Sequence, residues 1–189
     1  MTSKYPDKII TGTPPRSFRK FLPEDEIQKE VLKTAEDIHV KFKGKNPVFV
    51  GVLTGCFVYM ADIVRAANLP CTVDFIKLSS YGDGMTSGQI KLIKDIDMEI
   101  RDRHVILVDD IVDTGNSWDF LRDFLKVRHP QSLSMAACFR KPKSLHSGVH
   151  VDFVSIDLPD EFVIGYGLDY AGTGRHLPDL YILDEPEES

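Results

Sequence analysis

The chain has 189 residues, of which 42% are hydrophobic and 28% charged, and its formal net charge at pH 7 is −6. This length and composition are typical of one globular domain with a full apolar core, so we expect a single domain over residues 1–189. The acidic balance disfavours a general affinity for nucleic acid or for an anionic membrane surface, so neither is expected as a partner.

Cysteine usage and the apolar runs indicate where the protein works. Cys56, Cys71 and Cys138 lie far apart and form no metal-binding pair, which predicts buried thiols in a reducing compartment. No apolar run approaches the roughly 20 residues of a membrane-spanning helix. No secretory signal is visible after Met1. We therefore expect a cytoplasmic protein.

The predicted elements of the first half alternate between helix and strand. The first twenty-odd residues contain three prolines and no regular pattern, which predicts irregular structure. Acidic residues after Pro23 and apolar residues at helical spacing predict a helix to about Phe42. Val48–Leu53 and residues 73–78 have the composition of buried strands. The helix between them is predicted to bury five side chains: Phe57, Met60, Ala61, Val64 and Ala67.

The second half continues the alternation. Residues 79–88 are rich in glycine and serine, which predicts a long mobile loop of the kind that binds or covers something. A third strand over residues 104–108 is predicted to end on Asp109 and Asp110. The helix from about Asn116 is predicted to bury Trp118, Leu121, Phe124, Leu125 and Val127, and further strands are expected at residues 133–139, 152–156 and 180–183. The pattern indicates an α/β domain on a mostly parallel sheet flanked by helices, whose ligands bind beyond the carboxyl ends of the strands.

Residues 105–117 carry the clearest chemical signal. Four apolar residues deliver Asp109 and Asp110, and Asp113-Thr-Gly-Asn-Ser117 then leads into a helix. Gly115 permits close approach of a ligand, and the amides of residues 114–117 with the helix dipole favour an anion. Two carboxylates before such a phosphate cradle suit sugar hydroxyls or a metal. The alternative is a strand end with solvated acids and an Asp-Thr-Gly helix cap, with Asp113 as the N-cap.

This segment resembles the phosphoribosyl-pyrophosphate motif of type I phosphoribosyltransferases. Four further segments resemble elements of the hypoxanthine-guanine branch, in the same order and with similar spacing from about residue 21 to 183: residues 52–55, 78–81, 139–142 and 159–170. Five ordered motifs are far more specific than any one of them. The resemblance implies the type I fold, with a core at about residues 40–157 and a small hood from about residues 1–25 and 158–189.

The resemblance also implies roles on the side of phosphoribosyl pyrophosphate. Asp109, which stands where a Glu is often found, and Asp110 would bind the ribose hydroxyls, and Asp113 would be the general base near purine N7. The phosphate would lie on the cradle formed by Asp113, Thr114, Gly115, Asn116 and Ser117. Pyrophosphate would be bound by Leu53, Thr54 and Gly55, whose Leu53–Thr54 peptide the family holds in the cis form, and by Arg175. Ser80 and Tyr81 would close over the reaction and exclude water.

On the purine side, Lys141 would donate to O6, Phe162 would stack on the base, and Val163 would meet the purine edge through its backbone. Asp169 is expected to belong to the purine-binding residues and also to hold Mg²⁺ against pyrophosphate. Each has a plainer alternative: a solvated turn lysine for Lys141, a core side chain for Phe162 and a surface arginine for Arg175. The last alternative is favoured by residues 171–174, Ala-Gly-Thr-Gly, which depart from the family pattern, as does Thr54, where some relatives have Lys.

The implied reaction is purine salvage from hypoxanthine or guanine and phosphoribosyl pyrophosphate by a homodimer or homotetramer. The competing hypothesis is a regulator that senses phosphoribosyl pyrophosphate or nucleotides on the same fold, since fold does not fix function. The presence of Asp113, Lys141 and the closing loop, and the acidic net charge, favour the enzyme. The sequence leaves the use of xanthine open.

Overall fold

The computed structural model describes residues 5–80 and 90–184. Ten strands and three helices lie in these residues, and their bounds in chain order are β1 Lys8–Thr11, β2 Arg16–Leu22, α1 Glu24–Phe42, β3 Val48–Leu53, α2 Phe57–Ala67, β4 Thr72–Ser80, β5 Ile90–Lys94, β6 His104–Val112, α3 Asn116–Lys126, β7 Ser132–Arg140, β8 Phe153–Asp157, β9 Val163–Ile164 and β10 Leu180–Leu183. None of the helices in the described ranges is long and apolar enough to cross a membrane.

The larger sheet has the strand order β5-β4-β3-β6-β7-β8 and is parallel except for β5. Alternate residues of β6 show why its apolar run is continuous: Ile106 and Val108 pack with α1 and α2 on one face, whereas Val105 and Leu107 pack with α3 on the other. A strand covered on both faces needs apolar side chains at every position. The predicted α/β class, with helices on both faces of a mostly parallel sheet, is confirmed.

The chain reverses its direction of travel across this sheet between β3 and β6. From β3 it proceeds to β4 on one side, and from β6 it proceeds to β7 and β8 on the other. β3 and β6 are direct neighbours, with Gly51 opposite Val108. Such a switch point opens a crevice at the carboxyl ends of the two strands. It therefore brings the loop after Leu53 beside Asp109 and Asp110.

The smaller sheet is antiparallel, in the order β1-β2-β10-β9, and combines both ends of the described chain. The prediction of irregular structure before the first helix is therefore wrong for β1 and β2. Pro14 and Pro15 lie in the turn between these strands, after Gly12 with a φ of 87°, and so remove no hydrogen bond from the ladder. The division into a core and a hood stays a prediction.

The predicted helix ending near Phe42 is confirmed as α1, but the buried faces of the other two helices differ from expectation. In α2, Phe57 and Ala61 are exposed, whereas Tyr59 and Ile63 are buried. A tyrosine is buried there because its hydroxyl contacts Ser155 Oγ at 3.2 Å. Val127 is exposed because α3 ends at Lys126.

Two strands, β6 and β4, end later in the chain than predicted. β6 continues to Val112 because β7 pairs with it up to Arg140, so Asp109 and Asp110 lie within the strand rather than at its end. β4 extends to Ser80, so the predicted loop cannot begin at residue 79; residues 81–89, including Tyr81, lie outside the described residues. The edge strand β5 was not predicted, because five residues that include Lys91 and Lys94 give only a weak strand signal. All three cysteines are free, and Cys56 and Cys138 are buried as expected, while Cys71 is half-buried.

Candidate active site

The loop after β3 is held between an acidic side chain and a glycine turn. Its Leu53–Thr54 peptide is cis, as the family resemblance implies. A Cβ atom on Gly55 would overlap the carboxylate of Asp110, and a Cβ atom on Gly167 would overlap the carbonyl oxygen of Gly55. Glycine is therefore required on both sides of this contact. The loop backbone lies directly against β6 and the segment around residue 167.

Asp109 and Asp110 form a close pair of half-buried carboxyl groups beside this loop. The carboxylate of Asp109 accepts the amide N–H of Asp110 at 3.1 Å, and that of Asp110 accepts the amide N–H of Ile111 at 2.9 Å. Burial and the neighbouring charge of Asp110 raise the pKa of Asp109 well above its ordinary value. Burial also raises the pKa of Asp110, although hydrogen bonds and the charge of Arg175 oppose the rise. Hydroxyl donors from a sugar would satisfy both groups.

The acid pair shares a cavity of about 270 Å³ with the end of β3 and with the start of α3. The cavity is lined from β3, β4, β5, β6 and α3 by nine residues: Val52, Leu53, Leu78, Ser79, Ile90, Asp109, Asp110, Ile111 and Ser117. The structure thus brings together side chains that the sequence separates by more than 60 positions. This size and polarity fit a sugar carrying phosphate groups.

The residues between β6 and α3 form an open backbone turn. Gly115 is the N-cap of α3, with a φ of 91°, and a Cβ atom there would overlap Val149. The amide of His146 donates to the carbonyl oxygen of Thr114 at 3.2 Å, which fixes the turn from outside. Asp113 lies two residues before the N-cap, so its alternative role as the helix cap is wrong. The N-terminus of α3 presents backbone N–H groups and the positive end of the helix dipole, which favour an anion, as in other phosphate cradles.

Lys141 contacts Asp113 across the end of the sheet. Lys141 is only 8% exposed, and its Nζ lies 3.2 Å from Asp113 Oδ2. The backbone is fixed because the amide N–H of Lys141 donates to the carbonyl oxygen of Val112 at 3.0 Å. The alternative of a solvated turn lysine is therefore wrong. Asp160 Oδ1 lies 4.0 Å from the same Nζ; sequence reasoning missed this residue, because an acid in a polar turn has no distinguishing pattern.

Phe162 and Val163 follow Asp160 in the chain, and Val163 is the first residue of β9. Phe162 is 44% exposed, so it is not a core side chain, and its ring meets the ring of Tyr170 edge-on at 5.9 Å. Val163 is buried in β9. Phe162 and Asp160 share a cavity of about 380 Å³. An exposed aromatic face held by a second ring can stack on a planar ligand.

Asp169 and Arg175 form an ion pair at the remaining edge of the site. Arg175 Nη2 lies 2.5 Å from Asp169 Oδ1, and Arg175 Nη1 donates to the carbonyl oxygen of Gly167 at 2.7 Å. The second oxygen of Asp169 accepts the amide N–H of Gly172 at 2.8 Å. Arg175 is thus held by two partners and only partly exposed, unlike a free surface arginine. No group of three metal-ligating side chains occurs among residues 5–80 and 90–184.

A switch point that carries a phosphate cradle indicates a protein that binds phosphorylated ligands. Similarity to known proteins identifies the family within this class. Residues 21–171 match the family described as the phosphoribosyl transferase domain. A hypoxanthine phosphoribosyltransferase of Salmonella typhimurium is 42% identical in an alignment of 170 positions that covers 87% of this chain and 96% of the relative. A hypoxanthine-guanine phosphoribosyltransferase of Aquifex aeolicus is 38% identical over 172 residues, covering 90% and 97% of the two chains.

Solved structures agree with these relatives. A hypoxanthine-guanine phosphoribosyltransferase of Bacillus anthracis matches with a TM-score of 0.83 at 36% identity, over 87% of this chain and 98% of its own. A hypoxanthine phosphoribosyltransferase of Staphylococcus aureus matches with a TM-score of 0.84 at 31% identity, over 88% and 91%. The chain therefore belongs to the phosphoribosyltransferase family. The four relatives named here place it in the hypoxanthine-guanine branch of that family.

Proposed function

We propose that the protein transfers the 5-phosphoribosyl group from phosphoribosyl pyrophosphate to N9 of hypoxanthine or guanine, giving IMP or GMP and pyrophosphate. The observation that carries this proposal is the contact of buried Lys141 with Asp113 at the edge of the phosphate cradle. It places a cationic donor and a carboxylate side by side, where a 6-oxopurine offers an exocyclic oxygen and a ring N–H. The relatives named above support the same assignment.

Phosphoribosyl pyrophosphate would occupy the switch-point crevice. The backbone of residues 113–117 would bind its 5-phosphate through N–H groups and the helix dipole. Asp109 and Asp110 would accept hydrogen bonds from the ribose hydroxyls within the shared cavity. The loop Leu53, Thr54 and Gly55 would bind pyrophosphate through its backbone, and Arg175 would bind it through charge-assisted hydrogen bonds.

Magnesium fits this donor set. Mg²⁺ is usually held by one or two carboxylates together with substrate phosphates, rather than by a closed cage of side chains. Asp169 offers a carboxylate at the edge of the site, and we propose that it holds the ion together with pyrophosphate. When bound, the ion would neutralise negative charge on the leaving group.

The chemical step needs a positioned proton acceptor and no covalent nucleophile. The bond from C1 of the ribose to the pyrophosphate oxygen breaks with its electron pair leaving on pyrophosphate, and N9 forms the new bond to C1. The purine proton passes from N7 to Asp113, and Lys141 stabilises charge at O6. Asp109 and Asp110 stabilise the oxocarbenium-like sugar by position.

Base selection would come from Phe162, which stacks on the purine, and from the backbone of Val163 along its edge. Ser80 and Tyr81 would close over the reacting sugar and limit hydrolysis. Ser80 is the last residue of β4 and pairs with Ile90. The roles of both residues stay predictions.

Turnover assays with hypoxanthine, guanine or xanthine, phosphoribosyl pyrophosphate and Mg²⁺ test the proposal. We expect IMP from hypoxanthine and GMP from guanine, each with one equivalent of pyrophosphate. The xanthine reaction measures how the site discriminates at purine C2. Binding of phosphoribosyl pyrophosphate without nucleotide formation would overturn the enzyme and favour the regulator, for which the relatives named above give no support.

We also propose a homodimer or homotetramer. A solved structure of a Trypanosoma cruzi hypoxanthine phosphoribosyltransferase, 37% identical with a TM-score of 0.83, addresses the role of the C-terminal region of that protein in its oligomeric state and enzymatic activity. Light scattering of the purified chain distinguishes the two states, and a monomer would contradict the proposal.

A further inference from the structure

The segment that carries Arg175 begins with three consecutive residues in the left-handed region. Gly165, Tyr166 and Gly167 have φ values of 103°, 48° and 98°. Glycine adopts this conformation freely, but a tyrosine is disfavoured there and needs contacts that hold it. Tyr166 is also buried, at 2% exposure. Its position in the turn is therefore set by what its side chain and backbone bind.

A hydrogen-bond cluster from two helices holds this tyrosine. Its hydroxyl donates to Asp62 Oδ2 at 2.7 Å, and Gln28 Nε2 donates to the same oxygen at 2.7 Å. Arg65 Nη2 donates to the other oxygen of Asp62 at 2.5 Å. Gln28 lies on α1, whereas Asp62 and Arg65 lie on α2. The tyrosine thus fastens the turn to the two helices that cover one face of the sheet.

The glycine turn at residues 165–167 contacts both parts of the proposed pyrophosphate site, Arg175 and the loop after β3. The carbonyl oxygen of Gly167 accepts Nη1 of Arg175 at 2.7 Å, and the amide N–H of Gly167 donates to the carbonyl oxygen of Arg175 at 3.2 Å. Gly167 also lies so close to the carbonyl oxygen of Gly55 that a Cβ atom would overlap it. A shift of Tyr166 therefore moves Arg175 and the loop after β3 relative to one another.

We propose that Tyr166, through its hydrogen bond to Asp62, is a positioning residue for pyrophosphate binding, an inference that rests on the proposed function. Tyr166 acts through Gly167, without touching the substrate itself. Its hydroxyl sets the placement of the Arg175 guanidinium against the backbone of Gly55. The plainer alternative is a core tyrosine whose hydroxyl only satisfies its own hydrogen-bonding need and contributes to stability.

Tyr166→Phe separates the two readings, with Tyr59→Phe as a matched control. Tyr59 is equally buried in the same apolar cluster, and its hydroxyl contacts Ser155. The Tyr166 hydroxyl donates to Asp62 and also accepts Gln28 Nε2 at 3.4 Å. Each variant removes one buried hydroxyl, so a similar fall in Tm is expected. For Tyr166→Phe alone we expect the Kd of magnesium pyrophosphate and the KM of phosphoribosyl pyrophosphate to rise about fivefold to tenfold. The kcat and the KM of hypoxanthine should stay unchanged, since only binding of the leaving group is altered.

Two Asp62 variants test the contact from its other side, also if Tyr166→Phe fails to fold. Asp62→Ala removes the acceptor and should weaken pyrophosphate binding as Tyr166→Phe does, whereas Asp62→Asn keeps an acceptor oxygen and should restore most of it. Equal pyrophosphate Kd values in wild type, Tyr166→Phe and Asp62→Ala would overturn the inference. Titration calorimetry with magnesium pyrophosphate needs no turnover. A wild type that binds pyrophosphate but forms no nucleotide refutes the proposed function while the titration still decides this inference.

Discussion

Asp113 is half exposed and contacts Lys141, which suits a base that must meet a substrate proton. Asp113→Asn preserves the shape of the side chain but cannot accept that proton at neutral pH. We expect kcat to fall by about 100-fold or more, because general-base catalysis contributes that much. The Kd of phosphoribosyl pyrophosphate should stay close to that of the wild type, since the backbone of the cradle is kept.

Asp160→Asn is the control for this substitution. Asp160 Oδ1 lies 4.0 Å from Lys141 Nζ, but no proton transfer to Asp160 is proposed. The kcat of Asp160→Asn should therefore stay near that of the wild type. Steady-state kinetics and direct ligand titration measure the two quantities. An unchanged kcat in Asp113→Asn would remove Asp113 as the base.

Asp109 is expected to favour binding of phosphoribosyl pyrophosphate while lowering the stability of the fold. Burial and the adjacent Asp110 raise its pKa in the folded state above the unfolded value. The charged form therefore destabilises the fold above the unfolded pKa, which is about 3.9, and the penalty disappears as pH falls below that value. Asp109→Asn should raise Tm at pH 7.5, by about 2–4 °C for each kcal/mol gained, while weakening the binding of phosphoribosyl pyrophosphate.

The pH dependence of the Asp109→Asn effect provides the decisive measurement. The gain in Tm should shrink as pH approaches 4, because the wild-type carboxyl becomes protonated. Asp123→Asn, at an acid on α3 whose side chain is 73% exposed, should show no gain at either pH. A Tm equal to or below that of the wild type at pH 7.5 would contradict the destabilising role of the acid pair.

At the scale of residues, the sequence predicts chemistry where a motif is contiguous. The cradle and its acid pair lie within 13 successive positions, and the acid pair shares one cavity with Ser117 of the cradle and with Leu53. Asp160 and Tyr166 escape notice because their importance depends on contacts with Lys141 and Asp62. Those partners lie 19 and 104 positions away in the chain. A contact between distant polar side chains leaves no periodic signal.

At the scale of elements, the start of α1 depends on a side chain from the far end of the chain. Its N-cap is Pro23, which offers no capping side chain, and the amide N–H of Glu24 donates instead to Asp179 Oδ1 at 2.9 Å. Asp179 is buried, and its other oxygen lies 2.9 Å from Nζ of Lys20 on β2. One carboxylate therefore joins a helix start to the smaller sheet.

Lys20→Met tests this joint, because it removes the cation and keeps an apolar stem of similar length. Removal of one member of a buried ion pair is strongly destabilising, so the free energy of unfolding should fall by about 3 kcal/mol. The control Lys33→Met breaks the exposed pair with Glu30 on α1 and should change stability by less than about 0.5 kcal/mol. Urea unfolding measures both values. Equal effects of the two variants would show that the joint adds no stability.

The elements themselves differ in how well the sequence predicts them. Buried strands such as β3 are evident because continuous apolar runs have no other common explanation in an α/β chain. The hairpin of β1 and β2 is hidden, since only Phe18 is fully buried among mostly polar neighbours. The buried face of α2 differs from the prediction because Tyr59 is buried with its hydroxyl against Ser155, whereas Phe57 and Ala61 are exposed. An amphipathic pattern identifies buried apolar side chains, but it does not identify polar side chains that are buried with a hydrogen-bond partner.

At the scale of the whole molecule, the topology concentrates the proposed chemistry at one place. Strands β3 and β6 are neighbours although a helix and two further strands lie between them in the chain. Alternating helices and strands predict a parallel sheet, but they do not predict strand order. The resemblance implied the type I arrangement, and the comparisons and sheet order bear it out. The position of the smaller sheet could not be read from periodicity, because its four strands come from both ends of the described chain.

Acid stability of the whole molecule should depend on buried carboxylates outside the site. Asp74 is a clear case: its oxygens accept the amide N–H groups of Phe75 at 2.7 Å, Asp97 at 2.7 Å and Met98 at 3.0 Å. Burial alone would raise its pKa, but these hydrogen bonds and the charge of Lys94 hold the pKa below its ordinary value. A depressed pKa contributes stability above the unfolded value, about 3.9, and that stability is lost as pH falls through the folded value.

Asp74→Asn should therefore lower the free energy of unfolding by about 1–3 kcal/mol at pH 7, the usual effect of weakening a buried hydrogen-bonded group. The difference from the wild type should begin to narrow as pH falls below about 3.9, the unfolded pKa, and should close only below the depressed folded pKa, where the wild-type carboxyl gains its proton. Urea unfolding between pH 7 and pH 3 measures both curves, with Asp123→Asn as the exposed control. A difference that stays constant with pH would mean that Asp74 acts by shape and hydrogen-bond geometry alone, because a contribution from its charge must vanish once the carboxyl is protonated.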